Sequence, residues 1–356
     1  MKLAKLTLQI KPVGNNCNLH CEYCYAMPFR CENFKILDLA VVEKIVKEAL
    51  EVTDNLIITW HGGEPTMPGV KYYKDYMEIV EKYKAPGQNV INMIQTNATL
   101  ITDEFAQFFV DNDFIVSVSI DGDADTHNRN RHYASGKDSY EKTMEGVTIL
   151  RKYGIFPPVI ATVSKNTYMD CERTFKSFID EGFTEIKFSP VYDSSEDEFS
   201  ISSDEWLAYI KKVMDLWMEM QDPNIKVREI DEVLEWFSGG QINTCSSTNS
   251  CVNWMSIDED GNVYPCEYLR ATESYGNVKE MHIADVFKTD AHKRFVAKVM
   301  HVPDECKACE FYSMCGNGCP ATRVKGNELV YNGVYVYCEE RKGLYNYIAE
   351  ILNSEE

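Results

Sequence analysis

Hydrophobic and polar residues follow two alternating periods along the first two-thirds of the chain. In Lys5–Ile10 apolar and polar residues alternate singly, which is typical of a half-buried β-strand. Between residues 38 and 52 apolar residues recur every three or four positions, which predicts a helix with one buried face and Asp38 as its N-cap. This alternation repeats along the chain. It predicts strands near 55–60, 90–95, 114–120, 158–163 and 185–189, and helices near 70–84, from 102, near 139–153 and near 170–181.

Strands that alternate with helices of this length form parallel βαβ units, which predicts an α/β fold. About six units suit a partial or full barrel better than an open sheet, although periodicity alone does not separate the two. In a barrel the loops after the strands share one rim. Functional residues are therefore expected in those loops.

The pattern changes near residue 200. Helices are predicted over about 203–220 and 228–238, and Gly239-Gly240 then breaks the chain. The remainder is rich in turns and cysteine, with a short hairpin expected at Met255–Tyr264 around Asp260-Gly261. Such a segment has little hydrophobic core of its own and would need a metal to hold it.

The length of 356 residues is enough for two domains, which we place at residues 1–230 and 231–356. Hydrophobic residues make up 44% of the chain and charged residues 26%, which is the balance of a globular protein. The longest apolar runs, such as Leu56-Ile57-Ile58, are too short to cross a bilayer. No apolar signal segment follows Met1–Lys5. We therefore expect a cytoplasmic protein without a membrane partner.

The formal net charge of −20 argues against binding to nucleic acid or to an anionic membrane surface. The charge is compatible with a basic or neutral partner. An acidic surface that serves only solubility is the favoured interpretation of this charge.

Thirteen cysteines are the unusual feature of the composition. A cytosolic chain does not keep disulfides, so clustered cysteines indicate metal binding or catalysis. Three of them lie between Cys17 and Cys24, eight lie between Cys245 and Cys338, and only Cys31 and Cys171 fall outside these groups. The distribution divides the chain into two functional regions.

The first group, Cys17, Cys21 and Cys24, has the spacing CxxxCxxC on the loop after the first strand. Three thiolates on one short loop can hold three irons of a [4Fe–4S] cluster and leave the fourth iron open to a ligand. A zinc site or three unrelated thiols is the alternative, but structural zinc normally takes four protein ligands. The motif, with the aromatic Tyr23 before the third cysteine, resembles the signature of the radical S-adenosylmethionine (SAM) superfamily.

A second motif follows the second strand. His61-Gly62-Gly63-Glu64-Pro65 resembles the GGEP motif of the same superfamily, in which the strand end binds the amino group of SAM. Glycines allow close approach to backbone groups, and an acidic side chain can pair with an ammonium. The resemblance implies that Gly62, Gly63 and Glu64, with Tyr23, belong to the SAM site.

The superfamily resemblance extends to Gln95–Thr99 and Ser117–Gly122, at two further strand ends. Ser119 is the candidate for a contact to the SAM carboxylate, and Arg131 is a second candidate. Both residues have the alternative of being ordinary polar residues near a strand end.

The resemblance also implies the chemistry. SAM would chelate the open iron, and one electron would cleave the sulfonium to give methionine and a 5′-deoxyadenosyl radical. That radical abstracts hydrogen from an unactivated C–H bond. The protein orients the substrate and excludes water.

The eight C-terminal cysteines make two complete sets of four. Zinc ribbons are an alternative, since CxxC occurs with both zinc and iron. The spacing CxxCxxxxxCxxxC followed by a lone cysteine, however, resembles the SPASM domain of radical SAM enzymes that act on peptides. The resemblance implies an auxiliary cluster I on Cys245, Cys251, Cys266 and Cys319, and an auxiliary cluster II on Cys306, Cys309, Cys315 and Cys338.

Three [4Fe–4S] clusters would then be present, and the two auxiliary ones would be fully ligated by cysteine. Their implied role is electron transfer, with a flavodoxin or ferredoxin as electron donor. Cys31 and Cys171 match no ligand position.

Essentially the whole chain resembles the anaerobic sulfatase-maturating enzymes, which oxidise cysteine or serine to formylglycine. Two residues depart from that family. In that family an aspartate, proposed as the base, follows an auxiliary cysteine; this chain has Glu267 at that position. A glutamine usually precedes Gly-Gly-Glu-Pro in that family, and this chain has His61 there. The run Trp60-His61-Gly62-Gly63 is more similar to SPASM enzymes that crosslink ribosomal peptides. Glu267 and His61 are therefore the candidate catalytic residues, with a solvated carboxylate and a packing histidine as the alternatives.

Three functions follow from these observations. The sequence favours a maturase that installs a thioether or carbon–carbon crosslink in a ribosomally made peptide. The alternative is a sulfatase maturase that makes formylglycine on a protein substrate. A non-catalytic iron–sulfur carrier is disfavoured, because a carrier does not need an open iron.

Overall fold

The computed structural model describes residues 2–31, 33–192, 198–326 and 328–354. Its strands fall close to the predicted positions in the first two-thirds of the chain, and further short strands follow. The strands are β1 Leu6–Ile10, β2 Asn55–Trp60, β3 Asn89–Thr96, β4 Ile115–Ser119, β5 Val159–Val163, β6 Glu185–Pro190, β7 Lys226–Val227, β8 Trp254–Ile257, β9 Asn262–Tyr264, β10 Gly276–Asn277, β11 Val324–Lys325 and β12 Glu328–Leu329.

The helices alternate with the strands up to residue 190 and then dominate. Asp38 caps the first of them by accepting a hydrogen bond from the backbone N–H of Ala40 at 2.8 Å. The helices are α1 Leu39–Val52, α2 Val70–Tyr83, α3 Asp103–Asp111, α4 Ala124–Asn128, α5 Tyr140–Lys152, α6 Cys171–Asp180, α7 Ser203–Met220, α8 Arg228–Phe237, α9 Cys245–Thr248, α10 Ile283–Val286, α11 Asp290–Val299, α12 Asp304–Lys307, α13 Tyr312–Cys315 and α14 Cys338–Ser354.

Strands β1 to β6 are neighbours in chain order and all parallel, as six consecutive βα units require. The sheet does not close on itself, because its order runs β10-β9-β8-β1-β2-β3-β4-β5-β6-β7 with β10 and β7 at its two edges. The predicted partial (β/α)6 barrel is therefore confirmed. The carboxyl ends of the parallel strands form one rim, where the loops after β1 to β6 meet.

The hairpin predicted near residue 260 is present, and one of its strands joins the barrel sheet. β8 pairs in parallel with β1, with Leu8 opposite Met255 and Ile10 opposite Ile257. The pairing satisfies the outer edge of β1, whose backbone groups would otherwise lack partners. As a result, the chain that leaves the hairpin and carries Cys266 lies beside the loop that carries the first three cysteines.

The strands have two unlike faces. Alternate residues, such as Leu56, Ile58 and Trp60 of β2, are completely buried beneath the helices, whereas the residues between them are only partly buried. A parallel strand with apolar packing on both faces would be apolar throughout. The alternation therefore leaves the inner face of the barrel lined largely by polar side chains.

Trp60 ends β2 and anchors this part of the rim. Its ring packs edge-on against Tyr73 and Tyr76 of α2 at centroid distances of 5.1 and 4.8 Å. Such aromatic pairs prefer this geometry. The packing fixes the backbone from which the next residue, His61, enters the inner face.

The C-terminal part of the chain packs onto the barrel. Helix α14 lies along α7, and the hydroxyl of Tyr337 donates to the carbonyl oxygen of Ile201 at 2.7 Å. The predicted domain boundary at residue 230 falls inside α8, so the division into two domains stays a prediction. No helix among the described residues is long and apolar enough to span a bilayer.

Candidate functional site

The first three cysteines lie on the loop that leaves β1. The backbone N–H of Leu19 donates to the Cys17 sulfur at 3.3 Å, and backbone hydrogen bonds of 2.7 and 3.0 Å join the loop to residues 130–132. Burial raises the pKa of Cys17 to about 12 and the pKa of Cys21 to about 11. Ionisation of these thiols near neutral pH therefore requires a bound cation, as in a metal site.

The glycine turn after β2 is joined to the chain just before this loop. The N–H of Gly63 donates to the Gly14 carbonyl at 2.8 Å, and the N–H of Glu64 donates to the Asn16 carbonyl at 2.9 Å. A Cβ on Gly63 would lie 1.7 Å from the Asn16 oxygen, and one on Gly62 would lie 2.4 Å from the Gly14 oxygen. The glycines are therefore required by the approach of the protein's own backbone. Their contact with SAM stays a prediction.

Glu64 ties three loops of the rim together. Its buried carboxylate accepts hydrogen bonds from the Thr66 N–H and hydroxyl at 2.9 and 2.6 Å, from the Thr96 hydroxyl at 2.8 Å and from the Asn97 N–H at 2.8 Å. Burial raises the pKa of Glu64, while these hydrogen bonds oppose the rise. The side-chain amide of Asn97 then lies 3.7 Å from the Cys17 sulfur. Glu64 thus positions the loop around the first cysteine.

Arg131 and Tyr23 share one buried carboxylate. Asp121 accepts from the Tyr23 hydroxyl at 2.5 Å, forms an ion pair of 2.9 Å with Arg131 and accepts from the Thr162 N–H at 2.8 Å. The guanidinium of Arg131 lies 5.5 Å from the centre of the Tyr23 ring. Asp121 therefore holds Tyr23 and Arg131, two of the six residues that the sequence assigned to the SAM site, beside the cysteine loop.

Three polar side chains form a row across the ends of β2, β3 and β4. His61 Nε2 lies 3.1 Å from Gln95 Oε1, and Gln95 Nε2 donates to the Ser119 hydroxyl at 3.2 Å. Because Gln95 Oε1 accepts from His61 Nε2–H, His61 Nδ1 is the unprotonated nitrogen. It is buried and has no partner among the described residues. His61 thus presents a free hydrogen-bond acceptor, as a substrate-binding residue would.

Glu267 is paired inside the protein. Its carboxylate forms an ion pair of 2.6 Å with Lys11, and both side chains are almost completely buried. Lys11 also donates to the side chain of Asn15.

Burial, followed by the nearby Lys11 cation, lowers the pKa of His61 to about 4, so His61 is neutral at pH 7. The structure therefore brings both candidate catalytic residues together, with Lys11 as a third member.

Two tyrosines lie between the N-terminal loop and the C-terminal cysteines. The rings of Tyr25 and Tyr268 are 4.3 Å apart between centroids. The thiols of Cys24 and Cys266 lie near both phenol groups. This aromatic pair joins the mouth of the barrel to the first C-terminal set.

The four cysteines assigned to auxiliary cluster I lie together. Burial raises the pKa of Cys266, and the neighbouring thiols that raise it further are Cys319, Cys245 and Cys251. Burial likewise raises the pKa of Cys251 to about 12, with contributions from Cys319 and Cys245. No cysteine of the other set is among the main influences on the pKa of either thiol.

The four cysteines assigned to auxiliary cluster II line one cavity with Tyr312, Tyr335 and Arg341. Burial raises the pKa of Cys306 to about 11, and the thiols that add to the rise are Cys315, Cys338 and Cys309. The structure thus separates the eight cysteines into the two groups of the sequence assignment. The assignment as ligands stays a prediction.

The residues of both C-terminal groups fit iron–sulfur clusters. No three His, Cys, Asp or Glu side chains among the described residues converge on a point at single-ion distances. Each group supplies four thiols, the number that a cluster fully ligated by cysteine requires. Arg323 is completely buried between the groups, and all three guanidinium nitrogens lack a partner in the described part of the chain. A buried cation without an anion indicates a negatively charged group at this place.

Sequence reasoning missed Lys11 and Arg323 as parts of the site, and it included Asp121 only within the run Ser117–Gly122. A signal for Lys11 existed, because it continues the polar register of Thr7 and Gln9 beyond the end of β1. Asp121 continues β4 in the same way. Arg323 gave no signal, because only the folded chain shows that its charge is buried.

Comparison with known proteins agrees with this geometry. The model of the radical SAM superfamily matches residues 12–178, and the model of an iron–sulfur cluster-binding domain, SPASM, matches residues 245–310. The fold and the cysteine loops thus define a radical SAM enzyme with a SPASM domain, a class that binds SAM and [4Fe–4S] clusters.

Similar proteins narrow the class to a family. The chain is 30% identical to a cysteine-type anaerobic sulfatase-maturating enzyme of Clostridium novyi, over 89% of this chain and 88% of that protein. It is also 30% identical to a serine-type enzyme of Bacteroides thetaiotaomicron, over 97% and 89%. The chain belongs to the family of anaerobic sulfatase-maturating enzymes.

Solved structures support the same placement. Native anSMEcpe with bound AdoMet is 27% identical and matches with a TM-score of 0.89, covering 98% of this chain and 99% of that one. Streptococcus suis SuiB bound to the precursor peptide SuiA is 16% identical and matches with a TM-score of 0.66, over 94% and 76%. The SuiB likeness concerns the fold alone.

Gly63→Ala should disrupt the N-terminal cluster loop, because the new Cβ would collide with the Asn16 carbonyl. We expect a loss of about four iron atoms per chain, the content of one cluster, measured by iron analysis after anaerobic reconstitution. Gly136→Ala is the control, since no atom lies within 4 Å of its Cβ position, although its φ of +79° adds strain. Full iron content in Gly63→Ala would contradict this account of the turn.

Lys11→Met should destabilise the protein by about 3–5 kcal/mol, because it leaves the buried Glu267 carboxylate without its cation. Adding Glu267→Gln removes the unpaired charge, so the double variant should unfold at a higher denaturant concentration than Lys11→Met alone. The free energy of unfolding of the full-length chain is the measurement. Lys74→Met breaks an exposed pair with Glu104 and should cost less than about 1 kcal/mol. A double variant no more stable than Lys11→Met would refute the pairing.

Proposed function

We propose that this enzyme oxidises a cysteine, or a serine, of a protein substrate to formylglycine. The observation that carries the proposal is the buried carboxylate of Glu267, which directly follows Cys266 and lies beside Lys11 and His61 at the mouth of the barrel. The 30% identity to sulfatase-maturating enzymes along most of both chains supports it. The crosslinking function that the sequence favoured has support only from SuiB, at 16% identity.

The oxidation of a cysteine side chain defines what the site must do. Converting a CH–SH unit to C=S removes two electrons and two protons, and water then replaces sulfur with oxygen and releases sulfide. Abstraction of one hydrogen atom accounts for one electron and one proton. A base must take the second proton, and an acceptor must take the second electron. When bound, SAM and the iron–sulfur clusters supply the hydrogen-abstracting radical and the electron acceptor.

Glu267 is suited to take the proton. Its side chain is one methylene longer than the aspartate of the family, and the ion pair with Lys11 fixes where that longer side chain lies. His61, neutral at pH 7, would accept a hydrogen bond from the substrate through Nδ1. In this proposal His61 orients the substrate, and Glu267 acts as the base.

We further propose three [4Fe–4S] clusters. Cys17, Cys21 and Cys24 would hold the catalytic one, and the two C-terminal groups of four would hold the auxiliary ones. Gly62, Gly63, Ser119 and Arg131 would contact SAM, with Tyr23 and Glu64 holding the surrounding loops. Tyr25 and Tyr268 lie between Cys24 and Cys266, which supports a substrate position between the catalytic loop and the first auxiliary set. A flavodoxin or ferredoxin would deliver the electrons.

A peptide assay tests the proposal. The reconstituted enzyme is incubated anaerobically with SAM, a reductant and a cysteine-containing sulfatase-motif peptide, and mass spectrometry follows formylglycine. Glu267→Gln should reduce formylglycine about 100-fold or more, because general-base catalysis contributes about 10²–10⁴-fold. Formation of 5′-deoxyadenosine should continue in this variant, since hydrogen abstraction precedes the proton transfer.

Glu280→Gln, which neutralises an exposed carboxylate of the same region, is the matched control and should retain full activity. A serine-containing peptide run in parallel decides between the two substrate types. Formation of 5′-deoxyadenosine with an unchanged peptide would contradict the sulfatase-maturase proposal. Unchanged formylglycine formation by Glu267→Gln would exclude Glu267 as the base.

A further inference from the structure

Two arginines lie among the C-terminal cysteines, and they differ in their partners. Arg341 donates to the Cys315 carbonyl at 3.0 Å and to the Ser246 hydroxyl at 3.1 Å, and its guanidinium stacks on Tyr335 at 4.5 Å. Protein groups therefore satisfy much of its hydrogen-bonding capacity. The hydrogen-bond partners of Arg341 are the basis for comparison with the second arginine, Arg323.

Arg323 has no such partners. Its side chain is 3% exposed, and its Nε and both Nη atoms donate to nothing within the described ranges of the chain. No carboxylate of the described residues forms an ion pair with it. A buried guanidinium with five unused donors is strongly destabilising unless an anion lies against it.

The backbone holds Arg323 in this position. It ends a short 3₁₀ helix, Pro320–Arg323, that begins directly after Cys319. Its carbonyl accepts from the N–H of Val330 at 3.0 Å, at the β11–β12 hairpin. The burial is therefore imposed by local structure on both sides of the residue.

The groups around Arg323 belong to both cysteine sets. The thiols with the strongest electrostatic interaction with its guanidinium are Cys319 and Cys251 of the first set and Cys306 of the second. Burial lowers the pKa of Arg323, and these three sulfur atoms raise it. Thiols of both sets are therefore near the guanidinium.

We propose that Arg323 is a counter-cation shared by the two auxiliary clusters, that its N–H groups donate to cluster sulfurs, and that its charge raises the reduction potential of both clusters. The inference rests on the cluster ligation proposed above. It does not depend on which peptide the enzyme oxidises.

The electrostatic reason is direct. A [4Fe–4S] core held by four thiolates carries a net charge of about −2 when oxidised, and one more negative charge when reduced. A fixed cation in a buried, low-dielectric setting therefore stabilises the reduced state more than the oxidised state. Net charge and hydrogen bonds to sulfur are known determinants of cluster potentials. Removing the cation should lower both potentials.

The test is a redox titration in which electron paramagnetic resonance measures the reduced clusters at each potential. It uses the full-length reconstituted chain in which Cys17, Cys21 and Cys24 are replaced by alanine, so that only the C-terminal clusters contribute to the spectrum. In this background Arg323→Gln should shift both midpoint potentials to more negative values. Arg323→Lys keeps the charge and should retain the larger part of the wild-type potentials. Arg294→Gln, which neutralises an exposed arginine paired with Glu273, should shift neither.

Each outcome decides the matter. Unchanged potentials in Arg323→Gln, with full iron content, would overturn the inference. Equal shifts in the lysine and glutamine variants would also overturn it, because packing rather than charge would then be responsible. If the glutamine variant does not retain iron, retention by the lysine variant supports the shared cation, and loss from both contradicts it.

The failure of the underlying proposal is visible separately. If the alanine background itself binds fewer than about eight iron atoms per chain, the two sets of four cysteines do not hold two clusters. That result would contradict the ligation before Arg323 is examined.

Discussion

The parallel pairing of β8 with β1 is the constraint on which the rest of the site depends. It places the chain that follows the hairpin, with Cys266 and Glu267, against the end of β1, where Lys11 enters the inner face. Because Lys11 and the N-terminal cysteines lie on the same stretch of chain, the pairing also sets the catalytic loop beside the first auxiliary group. The Lys11–Glu267 ion pair then fixes this arrangement at its most buried point. Without β8, both charges would need other partners.

The interior of the barrel contains buried polar side chains, and this is the second main feature of the molecule. The inner faces of the strands carry polar side chains in a row, and several of their atoms have no partner among the residues that the structure describes. Such groups are costly in a dry interior and are expected where a ligand completes them. His61 Nδ1 at the barrel mouth and the guanidinium of Arg323 between the cysteine groups are two cases of the same principle. Among the described residues, His61 Nδ1 lacks a hydrogen-bond donor and the Arg323 guanidinium lacks an anion.

Much of the fold was predictable because its signals are local. The helix capped by Asp38, the strands that alternate apolar and polar residues, and the CxxxCxxC loop each depend on residues close together in sequence. The pairing of Trp254–Ile257 with β1 was not predictable, since four residues carry too little pattern to specify a partner almost 250 positions away. For the same reason the partnership of Lys11 with Glu267 emerged only in the folded chain. His61 led the sequence analysis towards peptide crosslinking, whereas similarity along the whole chain favours the sulfatase maturases.

The most direct test of the central claim uses a sulfatase-motif peptide whose cysteine carries deuterium at Cβ. If the barrel mouth presents that carbon to the radical, deuterium should appear in 5′-deoxyadenosine while the cysteine becomes formylglycine, with both products measured by mass spectrometry. Unlabelled 5′-deoxyadenosine together with an unaltered peptide would contradict the claim.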